Sequence, residues 1–238
     1  MEQLVFELAA PVPPRLANFL PGRNAELVAT LPRFVAGQLD ETGMLLWGAP
    51  AAGKSHLLGA AVALAQEWDL AARLVAHPAE LGDADSTADN ALVAIDRIDE
   101  ADVASAARIF TLYNALKQRR GRLIAAARAP VAALELREDL RTRLGWGLVY
   151  ELLPLADDDK PAALAAYAKG RGFALSAEVI DYLLRHGRRD MRSLLATLAA
   201  LDRRSLAAKR PITVPLLKEW LQRELEWERP APGAPASG

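Results

Sequence analysis

Between residues 48 and 55 the chain reads Gly48-Ala-Pro-Ala51-Ala52-Gly53-Lys54-Ser55, following the apolar run Met44 to Trp47 and leading into an apolar stretch from His56. Strand, glycine loop and helix in that order form a phosphate-binding device. Backbone N–H groups must turn inward around a polyphosphate there, and a Cβ at Gly48 or Gly53 would obstruct the turn or the ligand. Lys54 would place an ammonium between the terminal phosphates, the Ser55 hydroxyl would complete a Mg²⁺ shell, and the helix from His56 would add its positive end. A second apolar run, Ala91 to Ile95, ends in Asp96, which suits the carboxylate that anchors the same Mg²⁺. Enzymes that hydrolyse their nucleotide usually carry another acid directly afterwards. Here that position is Arg97, which cannot accept a proton, so weak intrinsic hydrolysis is expected. Asp99 and Glu100 follow in what reads as a solvated acidic loop.

These groups need a rigid frame. From residue 43 to about 152, short apolar runs alternate with longer amphipathic stretches, the pattern of a parallel sheet covered by helices on both faces. Five strands are predicted, at Met44 to Trp47, Arg73 to Ala76, Ala91 to Ile95, Leu123 to Ala127 and Leu148 to Leu152. Ser105 to Arg119 spaces Ile109, Leu112, Tyr113 and Leu116 as a helix facing the sheet, closed by Gly121. After Pro154 only helical patterning remains. An Ala-rich helix follows the Asp157-Asp158-Asp159 run, whose charges suit a helix N-terminus, and further helices are expected at Ala177 to Arg185, Asp190 to Leu206 and Val214 to Glu226. The division is thus residues 1–12 as an N-terminal peptide, 13–154 as an α/β nucleotide-binding domain, 155–228 as a small all-α domain, and 229–238 as a disordered Pro- and Ala-rich tail.

Composition excludes several classes. Among 238 residues, 29 Lys plus Arg balance 30 Asp plus Glu, for a formal charge of −1, unlike a stand-alone DNA-binding domain. There is no Cys, and His56, His77 and His186 have no clustered ligand spacing, so disulfides and thiolate metal sites are ruled out. No run approaches the length of a membrane span and no signal peptide is evident, which makes the cytoplasm the expected compartment.

The motifs and their order resemble the DnaA-type AAA+ family of P-loop NTPases, and within it the branch of short DnaA regulatory inactivators, Hda. Asn18-Phe-Leu-Pro-Gly-Arg-Asn24, Arg143-Leu-Gly-Trp-Gly147 with Val149 to Leu155, and Arg189-Asp-Met-Arg192-Ser-Leu-Leu195 carry the resemblance. It implies an AAA+ core with a five-stranded parallel sheet and a helical lid. By position, the segment Asn18 to Asn24 would line the adenine pocket, with Asn18, Phe19 and Leu20 nearest the base, although ordinary core packing explains each residue alone equally well. Gly48, Ala51, Ala52, Gly53, Lys54, Ser55 and His56 would hold ADP or ATP, and Ser55 and Asp96 would hold Mg²⁺. Arg143 matches the arginine finger that reaches a neighbouring subunit's nucleotide, with Arg141 as a rival, and Arg192 matches the lid arginine that contacts the chain's own phosphates. One further departure is Ala125-Ala126-Ala127, where the family has a polar side chain at the end of its fourth strand.

Residues Gln3, Leu4, Phe6 and Leu8 resemble the family's peptide for the DNA polymerase sliding clamp, with Phe6-Glu7 in place of the usual Leu-Pro. An N-terminal edge strand is the alternative. The chain stops about where DnaA's DNA-binding domain would begin, so sequence-specific DNA binding is not expected. The implied function is negative regulation of replication initiation: a nucleotide-loaded, clamp-tethered protein, dimeric by analogy, that promotes hydrolysis of DnaA-bound ATP in trans. An independent ATPase motor of the helicase-loader kind, or a nucleotide-gated adaptor without stimulating activity, remain open.

Overall fold

A computed structural model describes residues 13–82, 88–208 and 210–227. Five strands, β1 (Gly43–Trp47), β2 (Ala72–Val75), β3 (Leu92–Ile95), β4 (Arg122–Ala127) and β5 (Leu148–Glu151), pair wholly in parallel in the order β2-β3-β4-β1-β5. The register sets Leu45 against Ala125 on one side and Val149 on the other, while Ala94 faces Ile124. Alternate side chains of a strand leave opposite faces, and the central strands feed two separate cores accordingly. Leu45, Val93, Ile95, Leu123, Ala125 and Ala127 enter one core, and Met44, Leu46, Leu92, Ala94, Ile124 and Ala126 the other. Because both faces are covered, these strands read as unbroken apolar runs.

The first core is closed by α3 (Val103–Gln118), through Ile109, Leu112, Tyr113 and Leu116, and by α4 (Glu138–Gly145), through Leu140 and Leu144. The second is closed by α1 (Ala25–Val35) and α2 (Lys54–Glu67). Asp102 caps α3 by accepting a hydrogen bond from Ser105 N at 2.7 Å. The sequence reading missed α1 and α4. Pro32 inside α1 interrupts the helical signature, and α4 spans two turns with two buried positions, too few to show a period. Gly121 takes part in the expected helix closure, its N–H donating to Leu116 O at 2.7 Å. The left-handed residue after α3 is Arg120 (φ 56°), whereas a Cβ on Gly121 would stand 2.8 Å from Ala91 O, so this glycine lets β4 start hard against the neighbouring backbone.

The described residues divide into two compact units, 13–155 and those from Ala156 onward. The second contains α5 (Lys160–Gly170), α6 (Ala177–His186), α7 (Met191–Ala208) and α8 (Val214–Trp227) around Leu164, Val179, Leu183, Leu194, Leu198, Leu201 and Leu217. Ser176 caps α6 through Val179 N, and Asp190 accepts from Ser193 N at 2.9 Å to start α7. A largely buried pair, Arg171 to Asp202 at 2.9 Å, ties α5 to α7. No helix among the described residues is long and apolar enough to cross a membrane.

Candidate functional site

The loop of residues 48–53 leaves the C-terminal end of β1, the central position between β4 and β5, where open parallel sheets place their ligands. Gly48 N donates to Ala127 O at 3.3 Å, and Leu152 N donates to Trp47 O at 2.6 Å, so both neighbouring strands clasp the loop's root. Gly48 adopts φ 153°, and a Cβ there would lie 2.4 Å from Leu152 O. Gly53 adopts φ 106° as the residue before α2, and a Cβ would meet the Phe19 ring at 2.9 Å. The left-handed turn at Gly53 starts α2 with its first amides directed along the loop, which favours an anion there.

Lys54 Nζ donates to Gly48 O at 2.7 Å and Ala49 O at 2.8 Å, folding the ammonium over the loop it follows. Burial pulls its pKa below the usual lysine value. Asp96 and Asp99 oppose that shift and Arg128 adds to it. Ser55 Oγ donates to Asp96 Oδ2, which brings together the two groups expected on Mg²⁺. Among the described residues no three His, Cys, Asp or Glu side chains cluster as a metal cage. One carboxylate plus one hydroxyl suits Mg²⁺ held jointly with phosphate oxygens and water, so these residues fit a Mg-nucleotide and not a self-contained metal centre.

Behind the loop the N-terminal segment is pinned in place. Phe19 and His56 rings lie 5.6 Å apart, and His56 Nε2 is 3.1 Å from Arg15 O, a contact that puts the proton on Nε2. Burial lowers the His56 pKa, partly opposed by that carbonyl. Leu20 is exposed. Asn18 is spent on its own turn, accepting from Arg15 N at 2.9 Å and donating to Pro13 O at 3.0 Å. Asn24, which ends the segment expected at the adenine pocket, is 6% exposed; it donates to Pro21 O and Leu153 O and accepts from Leu153 N. Its partner lies 129 positions away, so no local pattern announces the bond.

Asp99 departs from the expected solvated loop. Its side chain is 13% exposed and pairs with Arg128 Nε at 2.7 Å, while Arg128 also reaches Glu100 at 3.0 Å and His77 reaches Glu100 at 3.2 Å. Arg128 follows the Ala125-Ala126-Ala127 end of β4, so an ion pair stands beyond the strand whose own end is apolar. Arg97 does follow Asp96 directly, in a left-handed conformation (φ 52°), and its N–H donates to Asp96 Oδ1 at 2.8 Å.

Arg143 lies on the last turn of α4, at a groove of about 450 Å³ formed with Phe110, Glu138, Asp139, Thr142 and Trp146. Its rival Arg141 is half-buried on the same helix. Arg192 is exposed near the start of α7. Gln3, Leu4, Phe6 and Leu8 lie outside the described residues, as does the 229–238 tail.

Comparison with known proteins bears on fold and lid. Residues 157–221 match the family model described as the Hda lid domain. Domain III of the Thermotoga maritima replication initiation protein DnaA is similar over 90% of this chain and 98% of that one, at 16% identity and a TM-score of 0.73. AMPPCP-bound DnaA from Aquifex aeolicus is similar over 90% of this chain and 69% of that one, at 18% identity and 0.67. The Thermotoga maritima RuvB Holliday junction branch migration motor is similar over 89% and 72%, at 16% identity and 0.69. The chain therefore has the AAA+ fold found in DnaA, and its 157–221 segment matches the Hda lid model.

Proposed function

We propose that this protein is a negative regulator of replication initiation that holds an adenine nucleotide, docks on ATP-bound DnaA and supplies Arg143 to hydrolysis there. The observation that carries the reading is an asymmetry. The phosphate loop, Lys54, Ser55 and Asp96 are assembled for binding, yet Arg97 follows Asp96, and a separate cation, Arg143, stands on α4 with no carboxylate in ion-pair distance among the described residues. Residues 48–56 would hold ADP as a structural and signalling ligand, with Phe19 and Leu20 near the base and Arg192 of the lid reading its phosphates. Bound Mg²⁺ would neutralise phosphate charge, with Ser55 and Asp96 as its protein anchors. In trans, the planar Arg143 guanidinium would neutralise charge developing on the phosphoryl group of the DnaA-bound nucleotide. Gln3 to Leu8, within residues 1–12, would seat in the sliding clamp's groove and confine the activity to newly replicated DNA.

In an assay of purified clamp on DNA, ATP-bound DnaA and this protein, Arg143→Ala is expected to lower stimulated hydrolysis about 10³-fold, the lower range for arginine fingers. A Gln3→Ala, Leu4→Ala variant is expected to lose only the clamp-dependent part. Unchanged stimulation by Arg143→Ala would end this reading. One observation favours a second reading, an ATPase in its own right: Asp99 is largely buried, its charge is felt at Lys54, and its Oδ1 has no hydrogen-bond partner. Sustained turnover by the protein alone, lost in Asp99→Asn, would establish that alternative.

A further inference from the structure

Arg143 is held by rings instead of acids. Its Cζ lies 5.1 Å from the Trp146 ring centroid and 5.7 Å from that of Phe110. The nearest acid in sequence, Asp139, is already engaged: Oδ2 accepts from Arg137 at 2.8 Å and Oδ1 from Leu140 N at 2.8 Å. The difference matters chemically. A carboxylate would satisfy guanidinium N–H groups and cancel the charge, whereas an aromatic face attracts the cation through its quadrupole and takes up none of the N–H donors in the guanidinium plane when the two stack.

Trp146 is badly placed for a merely structural residue. It is 66% exposed, among the most exposed large apolar side chains of the described residues, although an indole gains most from burial. Its mounting, by contrast, is rigid. Trp146 N donates to Thr142 O at 3.0 Å, which sets the indole three residues beyond Arg143 on the same helical face. The following residue, Gly147, is pressed so closely on β1 that a Cβ would stand 2.1 Å from Gly43 O. Phe110 arrives from α3, which is fixed to the sheet by Ile109 and Leu112. Two stiff elements therefore converge on one flexible side chain, with the exposed indole as the outer wall.

We infer that Trp146 is a positioning residue for Arg143: with Phe110 it pre-orients the guanidinium toward an external phosphate while leaving its charge and donors unspent. The inference rests on the assignment of Arg143 as a finger acting in trans, and it predicts an effect on the rate of the chemical step rather than on docking.

The test uses the full-length protein and its Trp146→Ala, Trp146→Phe, Arg143→Ala and doubly substituted Arg143→Ala, Trp146→Ala forms. In the free protein, the Arg143 Nε–Hε resonance, assigned by its loss in Arg143→Ala, should sit upfield of the other arginines, move toward them in Trp146→Ala and stay in place in Trp146→Phe. In stimulated hydrolysis of DnaA-bound ATP, Trp146→Ala should lower the maximal rate about fivefold, equivalent to about 1 kcal/mol, with the half-saturating concentration changed less than about twofold. Trp146→Phe should restore most of that rate, and the double variant should match Arg143→Ala alone. An unmoved resonance in Trp146→Ala, or a raised half-saturating concentration with an unchanged maximal rate, overturns the inference; the latter would make Trp146 a docking contact. Full stimulation by Arg143→Ala overturns the finger assignment instead, and the two failures are separable because the resonance is read without DnaA.

Discussion

At the scale of single residues, the site owes its shape to polar side chains that hold backbone, and two of them give measurable consequences. Asn24 makes three hydrogen bonds from a buried position, two of them to Leu153 just after β5. Asn24→Ala would orphan both Leu153 backbone groups, and a loss of about 1–3 kcal/mol in denaturant unfolding is expected. His56 titrates within the same support. Its folded pKa is depressed from 6.5 by burial, so the unfolded chain binds the proton more readily. The corresponding stability is fully present above the unfolded value and is lost as pH falls through the folded one. Urea midpoints should therefore fall on acidification from about pH 7.5 to about pH 5.5, and His56→Gln should flatten part of that slope. Identical slopes for both proteins would remove His56 from the account.

At the scale of elements, glycine contacts decide where strands and helices can meet. Gly147 joins α4 to β5 with its Cα against the Gly43 carbonyl, a backbone-to-backbone approach that no side-chain rotation can relieve. Gly147→Ala should cost about 2–3 kcal/mol in thermal or chemical unfolding, and should also displace the corner that carries Arg143 and Trp146. A stability equal to the parent's would show that the corner is not held as described. The five strands were readable because each is short, mainly apolar and flanked within a few residues by Gly, Asp or Pro. By contrast, α4 was not, since its two buried leucines carry no period, and its purpose appears only once Phe110 of α3 stands opposite it. Asp99 was misread for a related reason. An acid near Glu100 and Asp102 looks solvated in one dimension, and only the pairing of β3 with β4 brings Arg128 to it.

At the scale of the whole molecule, the proposed nucleotide binding would be linked to folding. A ligand that binds only the folded state adds about 2.7 kcal/mol at a concentration of about 100 Kd. For a chain of this length that corresponds to roughly 5–10 °C in Tm. ADP with Mg²⁺ is expected to raise the midpoint by that amount, and Lys54→Ala, which deletes the ammonium from the loop, to weaken binding roughly 10- to 100-fold. No ADP-dependent shift in the parent protein would remove the basis of the proposed function.

The sequence alone determined the glycine-bounded loop between strand and helix at residues 48–55, the position of Asp96 at a strand end, the strand sequence and the change to helices after Pro154. Each of these is written in local spacing, and local spacing is governed by backbone sterics and by the periods of strand and helix. Only the tertiary structure decided that Ser55 meets Asp96, that Asp99 is engaged by Arg128, that Asn24 fastens the segment after β5, and that Arg143 rests between Phe110 and Trp146. Those pairs are separated along the chain or depend on which face of a helix is presented, and their energies exist only after the sheet has brought the partners into contact.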